Sequence, residues 1–459
     1  MTKIGIVSLG CPRNLVDSEV MLGSLKKEGY EIADEVGDGV DLFIINTCSF
    51  VESAREESVD TVIEAAALKG EGKIRRLVIC GCLPQLYGKK LLKNLPEVDA
   101  IIGTSDIPKM GMIVKALLKD DPKPGSKNFP VLARSQRCVV SKELKYLYNE
   151  NSPRLYLTPS HFVYLKISEG CDNLCSYCII PRLRGKFRSR SIESVIEEAK
   201  NLSLSGKIRE INIIGQDTTL FGKDIYGGKK LPELLKRIAS LKSGVKWIRL
   251  LYTHPAHYSG RLIDTLRDEK KICGYLDLPI QHISDPVLKK MNRHTTRKEI
   301  ICLIEKLRKN IPDLTLRTSV IIGFPGETDK EFKELMAFLE DTRFEKLGAF
   351  IYSAEDLSRA YKFPRHVPDK IKNERFDEVM KLQQKISADI NRSYMGKIVN
   401  VLIDEPVEGS NNKFTGRTEG DAPEVDGCVY VSGKGLKVGE FFKVKITDTL
   451  EYDLVGEAV

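Results

Sequence analysis

The chain has 459 residues, of which 42% are apolar and 30% charged, and its formal net charge is +8. This length is too great for one compact core, so the sequence predicts about two to four domains. No run of about 18 apolar residues occurs, and the start MTKIGIVSLGC has no secretory signal, so neither a membrane-spanning nor a secreted protein is expected. A cytoplasmic protein is therefore expected. Because thiols stay reduced in the cytoplasm, the 11 cysteines indicate metal binding or catalysis rather than disulfides.

The first region, residues 3–119, alternates short apolar runs such as VDLFIIN with helical patterns such as VESAREESVDTVIEAAAL. This rhythm predicts βαβ units and a parallel, Rossmann-like α/β sheet. Cys11, Cys48 and Cys82 each stand just after a predicted strand and just before a predicted helix. Ligands of such sheets bind beyond the carboxyl ends of the strands, so the three thiols are candidate metal ligands at one edge.

The remaining cysteines outside the central loop have no ligand-like neighbours. Cys80 lies within the predicted strand RLVICG, where burial is the expected role of a cysteine. Whether Cys80 can replace Cys82 as a metal ligand stays open. Cys138, Cys273, Cys302 and Cys428 are interpreted as packing residues.

A linker and a second α/β region follow. Residues 120–160 are rich in Pro, Gly, Ser and Asn, which predicts a linker with a short strand or hairpin around LARSQRCVVS. Residues 162–357 then repeat a strand-like and a helical run six times, from FVYLKIS to KLGAFIYS. Six repeats predict an incomplete (β/α)8 barrel whose site lies at the loops after the strands.

The loop after the first of these strands, GCDNLCSYC, places Cys171, Cys175 and Cys178 at the spacing C-x3-C-x2-C. Thiolates suit zinc or iron–sulfur clusters. A structural zinc site needs a fourth Cys or His, and the nearest candidate, His161, stands ten residues upstream at the other end of a strand. Three cysteines on a four-iron cluster leave one iron open to a small molecule, which is the interpretation that the spacing favours.

The third region, which starts near Arg392, follows a long helical segment. Its short β-branched runs, such as CVYVSG and FFKVKITDTL, predict a small antiparallel barrel. From Gly396 onward seven basic residues stand against twelve acidic ones, so this part carries −5 and the rest of the chain +13. An acidic module fits a basic protein partner better than RNA, although a solubilising loop is the alternative. The candidate docking face consists of Glu419, Asp421, Glu424 and Asp426.

The motif CDNLCSYC, after the first strand of a β/α barrel, resembles the signature of radical S-adenosylmethionine enzymes. The first region, with its three cysteines, resembles the N-terminal domain of the methylthiotransferases among them, and the third region resembles their TRAM domain. The stretches CIIPRLRGKFRSR, GQDTTLFGKDIYG, WIRLLYTHP, LPIQH and EGDAPEVDG are similar to those of the members that modify a ribosomal protein. The expected parts are residues 2–118 (N-terminal domain), 119–156 (linker), 157–389 (radical S-adenosylmethionine core) and 392–459 (TRAM domain).

This resemblance implies a sulfur-group transferase that adds a methylthio group to the β-carbon of an aspartate of the twelfth small-subunit ribosomal protein. It implies two 4Fe–4S clusters and S-adenosylmethionine as both radical source and methyl donor, because acid–base side chains cannot open an unactivated carbon–hydrogen bond. An electron donor and a sulfur source are also implied. The implied ligands are Cys171, Cys175 and Cys178 for the cluster that binds S-adenosylmethionine, and Cys11, Cys48 and Cys82 for an auxiliary cluster.

Further positions on the S-adenosylmethionine side are expected at the strand ends. The motif GFPGE and the residues after the strands INIIG and YLDLP lie there, although turn glycines and helix caps explain the same residues. The basic run from Arg182 to Arg190 fits either a solvated face or contact with a cofactor or carboxylate. The candidates are Gly215, Gln216, Asp217, Gln281, Gly323 and Gly326.

Two other functions stay open from the sequence. A sister enzyme that modifies adenosines in transfer RNA would use the charge of +13 outside the third region to bind phosphates. A non-enzymatic cysteine–metal module that binds ribosomes would hold zinc, and it would leave the six-repeat barrel without a purpose.

Overall fold

The computed structural model describes residues 2–33, 39–49, 51–119, 137–204, 206–410 and 412–459. The chain forms two compact units. The first comprises Met1–Leu157, Glu169–Asp172 and Ile179–Arg190, and the second Thr158–Ser168, Asn173–Cys178 and Ser191–Val459. The loop with the C-x3-C-x2-C motif therefore contributes to both units.

The strands of the described residues are β1 Lys3–Ser8, β2 Glu31–Ile32, β3 Val40–Thr47, β4 Ile74–Gly81, β5 Ala100–Gly103, β6 Cys138–Val139, β7 Phe162–Lys166, β8 Ser168–Glu169, β9 Arg188–Ser189, β10 Glu210–Ile214, β11 Trp247–Leu250, β12 Ile272–Asp277, β13 Thr315–Ile322, β14 Lys346–Ile351, β15 Ile398–Pro406, β16 Lys413–Arg417, β17 Val429–Ser432, β18 Phe441–Thr449 and β19 Leu454–Ala458. The α-helices are α1 Pro12–Lys27, α2 Glu52–Gly70, α3 Cys82–Tyr87, α4 Lys89–Asn94, α5 Met110–Lys119, α6 Ile180–Arg184, α7 Ile192–Ser203, α8 Lys223–Tyr226, α9 Leu231–Ala239, α10 Gly260–Asp268, α11 Asp285–Lys290, α12 Arg297–Asn310, α13 Asp329–Thr342 and α14 Asp369–Arg392. Short 3₁₀ helices span Ile107–Lys109, Thr218–Leu220, Pro255–His257 and Ala360–Lys362.

The first unit is built on a six-stranded sheet in the order β2-β1-β3-β4-β5-β6, with every pair parallel. Its central strand β3 is apolar from Leu42 to Ile45 and buried along most of its length, as strands covered on both faces are. The register pairs Ser8 with Asn46, and Thr47 with Gly81. The carboxyl ends of β1, β3 and β4 therefore lie side by side at one edge of the sheet.

The second unit contains another six-stranded parallel sheet, in the sequential order β14-β13-β12-β11-β10-β7. The longer helices between the strands present a buried face, as α9 does with Leu231, Leu234, Leu235 and Ile238. These side chains join the strand residues in one continuous apolar core. The predicted incomplete β/α barrel with six repeats is confirmed.

The last strands form a closed five-stranded barrel in the order β15-β16-β17-β19-β18. Its interior is apolar, with Val401, Ile403, Val431 and Val444 buried together. The prediction of a small barrel is confirmed, but the expectation that it is antiparallel throughout is wrong for one pair. β17 and β19 are parallel, because β18 intervenes between them in sequence and pairs with β15 and β19 instead.

The predicted linker is described only in part, since residues 120–136 lie outside the described residues. The short strand expected around LARSQRCVVS is present where it is described, as β6, which pairs with β5 at the edge of the first sheet. No helix among the described residues is long and apolar enough to cross a membrane.

Candidate functional site

Three cysteine-bearing turns meet at the carboxyl edge of the first sheet. Cys11 is the N-cap of α1, Cys48 directly follows β3, and Cys82 is the first residue of α3 after β4. Gly10 lies so close to Cys48 that a Cβ atom at position 10 would stand 2.7 Å from its sulfur. Cys48 and Cys82 are buried and Cys11 is half-buried. The structure therefore brings together three residues that are widely separated in sequence.

The thiols influence one another electrostatically. Burial raises the pKa of Cys82 to about 12, opposed by the charge of Arg184 and reinforced by Cys48 and Cys11. Burial also acts to raise the pKa of Cys11, but the charge and hydrogen bond of Arg13 outweigh it, so that pKa is lowered. Thiols that oppose each other's ionisation need a positive centre among them to become thiolates together, which a metal group supplies.

The donor set fits a cluster better than a single ion. Among the described residues, the one group of His, Cys, Asp and Glu whose ligand atoms all lie within 4.8 Å of one another is Asp217, His254 and His257. Cys11, Cys48 and Cys82 offer three thiols, whereas a structural zinc site takes four ligands at Zn–S distances of about 2.3 Å. Three thiol donors suit an iron–sulfur cluster with one iron left open.

Cys80 packs in the core beside this edge. It is fully buried within β4, and its sulfur lies 3.8 Å from that of Met21. Cys138 packs against the apolar core of the first unit, and Cys273 is buried, as predicted. The same prediction is wrong for Cys302, which is exposed on α12 because that helix buries the opposite face.

The C-x3-C-x2-C loop is fixed by backbone hydrogen bonds in each unit. In the first unit, the amide of Cys171 donates to the carbonyl of Gly185 at 3.2 Å. In the second, the amide of Cys178 donates to the carbonyl of Cys175 at 3.1 Å, and buried Ser176 donates from its amide to the carbonyl of Met291. The turn between the cysteines is therefore held in place by the protein alone.

Two side chains that the sequence analysis did not single out, Arg293 and Asn173, position this loop. Nη1 of Arg293 lies 3.8 Å from the sulfur of Cys175, and Nη2 donates to the carbonyl of Pro279 at 2.5 Å. Nδ2 of Asn173 donates to Oδ2 of Asp217 at 2.7 Å. Arg293 is buried, so its charge stands against the thiol with little solvent between them.

Asp217, a predicted site residue, links the cysteine loop to two histidines. Its Oδ2 lies 2.8 Å from Nδ1 of His257, whose ring stacks on that of His254 at 4.7 Å. Burial acts to raise the pKa of Asp217, but the hydrogen bond and charge of His257 lower it to about 2. The histidines were missed, although the sequence THPAH just after a predicted strand was a usable signal. Nε2 of His254 has no hydrogen-bond partner among the described residues.

The other predicted positions stand at strand ends. Gly215 directly follows β10. Gln281 forms an isolated parallel β-bridge with Val320, and its own φ is positive, at 70°. Gly323 and Gly326 also have positive φ, so the turn itself requires glycine there. The structure places all of these, with Gln216, at the carboxyl end of the second sheet, and contact with S-adenosylmethionine stays a prediction.

The acidic loop of the barrel is partly used in contacts within the second unit, although Glu419 and Glu424 stay exposed. The side chain of Asp421 lies 2.7 Å from Nζ of Lys346, and Asp426 accepts a hydrogen bond from Tyr275 at 2.7 Å. The other two carboxylates accept hydrogen bonds from the amide of Gly274 and the hydroxyl of Tyr164. All four predicted docking residues, Glu419, Asp421, Glu424 and Asp426, therefore have partners within the second unit.

Family models match three parts of the chain: the Radical SAM superfamily at residues 165–339, Uncharacterized protein family UPF0004 at 3–103 and the TRAM domain at 395–459. Among solved structures, the methyltransferase TsrM from Kitasatospora setae has a TM-score of 0.54 at 14% identity, covering 76% of this chain and 75% of that one. The enzyme OxsB has a TM-score of 0.51 at 14% identity, covering 84% and 56%. The match at residues 165–339, together with the cysteine loop inside it, defines the central part of the chain as a radical SAM domain.

Relatives that match the full length of the chain show which family within this class it belongs to. The ribosomal protein uS12 methylthiotransferase RimO of Clostridioides difficile (strain 630) is 45% identical, over 100% of this chain and 99% of that protein. The RimO protein of Geotalea uraniireducens (strain Rf4) is 46% identical, over 100% and 98%. The chain belongs to this family of ribosomal protein uS12 methylthiotransferases, and it is a sulfur-group transferase.

Proposed function

We propose that this enzyme adds a methylthio group to the β-carbon of an aspartate of ribosomal protein uS12 and uses two 4Fe–4S clusters to do so. Cys171, Cys175 and Cys178 would hold the cluster that binds S-adenosylmethionine, and the three thiols at the edge of the first sheet would hold an auxiliary cluster. The observation that carries this proposal is that each set consists of three cysteines, one set at the edge of the first sheet and the other in a single loop. Each cluster would therefore keep one iron without a protein ligand.

The bound cofactors supply an electron and a carbon radical strong enough to open an unactivated carbon–hydrogen bond. The chain's own residues hold the geometry for that chemistry. Arg293 places positive charge beside the Cys175 sulfur, and Asp217 fixes the loop through Asn173. Ser176, which is buried, removes freedom from the turn between Cys175 and Cys178. A loop held in advance loses little entropy when the cluster and S-adenosylmethionine bind.

The partners of the reaction are a basic ribosomal protein, an electron donor and a sulfur source, and we expect the enzyme to meet them in the cytoplasm. Docking of uS12 on the TRAM barrel remains a proposal. Asp421 and Asp426 of the acidic loop pair inside the chain, and the exposed Glu419 and Glu424 are the carboxylates of that loop that a basic protein can reach. The other exposed carboxylates of the barrel are balanced by as many exposed lysines, so Glu419 and Glu424 supply the exposed acidic excess that favours a basic protein. The carboxylates are Glu405, Glu408, Glu440, Asp448, Glu451 and Glu457, and the lysines are Lys397, Lys413, Lys434, Lys437, Lys443 and Lys445.

A transfer-RNA adenosine is the second candidate substrate, favoured only by the net +13 outside the third region. The two substrates are separated by incubating the anaerobically reconstituted, reduced enzyme with S-adenosylmethionine and either uS12 or transfer RNA, followed by mass spectrometry. We expect a methylthio mass gain on an aspartate-containing peptide of uS12. A gain on transfer RNA with uS12 unchanged would contradict the proposed substrate and keep the chemistry.

The same assay tests whether one cluster cleaves S-adenosylmethionine and the other inserts sulfur. We expect Cys171→Ala to abolish cleavage of S-adenosylmethionine, because the open iron that binds it is lost. We expect Cys48→Ala to leave cleavage in place and to stop sulfur insertion. Cys302→Ala, an exposed cysteine on α12, is the control and should retain both activities. Full methylthiolated product from Cys48→Ala would refute the two-cluster arrangement.

A further inference from the structure

Arg184 is a buried arginine that reaches the edge thiols of the first sheet. It is the last residue of the five-residue helix α6, and its side chain is 4% exposed. Nη2 lies 3.8 Å from the sulfur of Cys82 and 2.5 Å from Oδ1 of Asn14. Of the basic run that the sequence showed beside the cysteine loop, this residue is therefore not part of a solvated face.

Two carboxylates hold the guanidinium in this position. Nη1 pairs with Asp17 and lies 3.5 Å from Oε2 of Glu169. Both carboxylates are buried, so the guanidinium meets its counter-charges away from water. A guanidinium has a rigid fork of donors. With Nη1 fixed by the carboxylates, Nη2 is aimed at the thiol.

Asn14 connects Arg184 to the remaining thiol-bearing turns. Its amide nitrogen donates to the carbonyl of Cys11 at 2.8 Å, and its Nδ2 donates to the carbonyl of Thr47, the residue before Cys48, at 2.9 Å. Its Oδ1 accepts from Arg184. One hydrogen-bonded group therefore touches all three turns, and Arg184 is the member that carries charge.

We propose that Arg184 is a positioning residue of the auxiliary cluster, which donates an N–H···S hydrogen bond to the Cys82 ligand and raises the reduction potential of that cluster. This inference rests on the proposed function, since it assumes a cluster on Cys11, Cys48 and Cys82. Hydrogen bonds to ligand sulfurs and nearby positive charge stabilise the reduced, more negative cluster, so their loss makes reduction harder.

The test uses the full chain with Cys171, Cys175 and Cys178 all changed to Ala, so that only the auxiliary cluster can load. In this background Arg184→Lys, Arg184→Met and the control Arg182→Met are reconstituted with iron and sulfide. Arg182 lies on the same helix but is exposed. Iron content is measured first, and the reduction potential is then obtained from a redox titration followed by electron paramagnetic resonance.

We expect both Arg184 variants to load iron and to have more negative potentials than the Arg182→Met control. Arg184→Lys keeps the positive charge near Asp17 and Glu169 but cannot place a second N–H at Cys82. If Arg184→Met fails to fold, the potential of Arg184→Lys alone therefore tests the role of Arg184. A potential in Arg184→Lys equal to that of the control, at equal iron content, would overturn the role of Arg184. Absence of cluster iron in the background variant itself would instead refute the auxiliary cluster.

Discussion

At the residue scale, His254 gives the enzyme a defined pH dependence of stability. Its side chain is almost fully buried, and burial together with the charge of Arg293 lowers its pKa to about 2. Below about pH 6.5 the unfolded chain therefore takes up a proton at this histidine while the folded chain does not, so stability falls by on the order of 1 kcal/mol per pH unit.

We expect His254→Gln to remove this contribution. Its free energy of unfolding should fall less steeply than that of the wild type between about pH 6.5 and 4.5, because the glutamine has no proton to take up in the unfolded state. Urea unfolding at several pH values measures the slopes. His366→Gln, which changes an exposed histidine, is the control. Equal slopes in wild type and His254→Gln would contradict a neutral His254 in the fold.

The two neighbouring cysteines of β4 and α3 should differ in iron binding. Cys82→Ala removes a thiol at the sheet edge and should cost about four iron atoms per reconstituted chain, one cluster's worth. Cys80→Ala removes a sulfur that contacts Met21 in the core and should leave the iron content unchanged. Iron analysis of both variants measures the difference. Equal losses would show that Cys80 takes part in ligation.

The six candidate ligands could be predicted because their signals are local. Cys171, Cys175 and Cys178 form a compact spacing, and the other three thiols each follow a strand. Arg184 and Arg293 could not, because the thiols they contact stand 102 and 118 residues away in the chain. Nothing near an arginine in the sequence states which distant sulfur its guanidinium will face.

At the element scale, the strand β13 ends in a turn that only glycine fits well. Gly323 has φ of +74°, and a Cβ atom there would stand 2.3 Å from Cγ of Lys372. Its amide also donates to Glu327 at 3.0 Å. The turn that follows the strand therefore depends on a backbone conformation that other residues rarely adopt.

We expect Gly323→Ala to lower the free energy of unfolding by about 1–3 kcal/mol, from the strained φ and the contact with Lys372. Gly228→Ala is the control, because a Cβ at that position meets nothing within 4 Å. Chemical denaturation of both variants measures the difference. A Gly323→Ala variant as stable as the control would show that the turn rearranges without cost.

The repeating elements were the most predictable part of the fold. Both parallel sheets follow from apolar runs that alternate with helical patterns, because that rhythm has few other structural solutions. The parallel pair of β17 and β19 was missed, since strand order within a barrel depends on contacts that no local pattern records. The exposure of Cys302 was available from the sequence, because it lies off the face that carries Ile300, Ile304 and Leu307.

At the scale of the whole molecule, part of the acidic excess of the third region serves contacts within the second unit. The carboxylates of Asp421 and Asp426 are buried against Lys346, Tyr275 and Arg317. In a sequence, carboxylates that pair inside the chain look the same as carboxylates on a docking surface. The charge count therefore overstates the acidic face, of which Glu419 and Glu424 remain exposed.

The same region is held by a buried arginine, and we expect its removal to loosen the barrel. Arg417 on β16 donates to Glu210 of β10 at 2.7 Å and to Asp404 at 2.8 and 3.0 Å. Glu210 is fully buried, so Arg417→Met leaves a carboxylate short of a partner and should cost on the order of 3 kcal/mol. Lys413→Met changes an exposed residue of the same strand and should cost little. Hydrogen exchange at the amides of β15 to β19 should rise in Arg417→Met alone. Unchanged exchange in that variant would mean that the apolar interior holds the barrel without this ion pair.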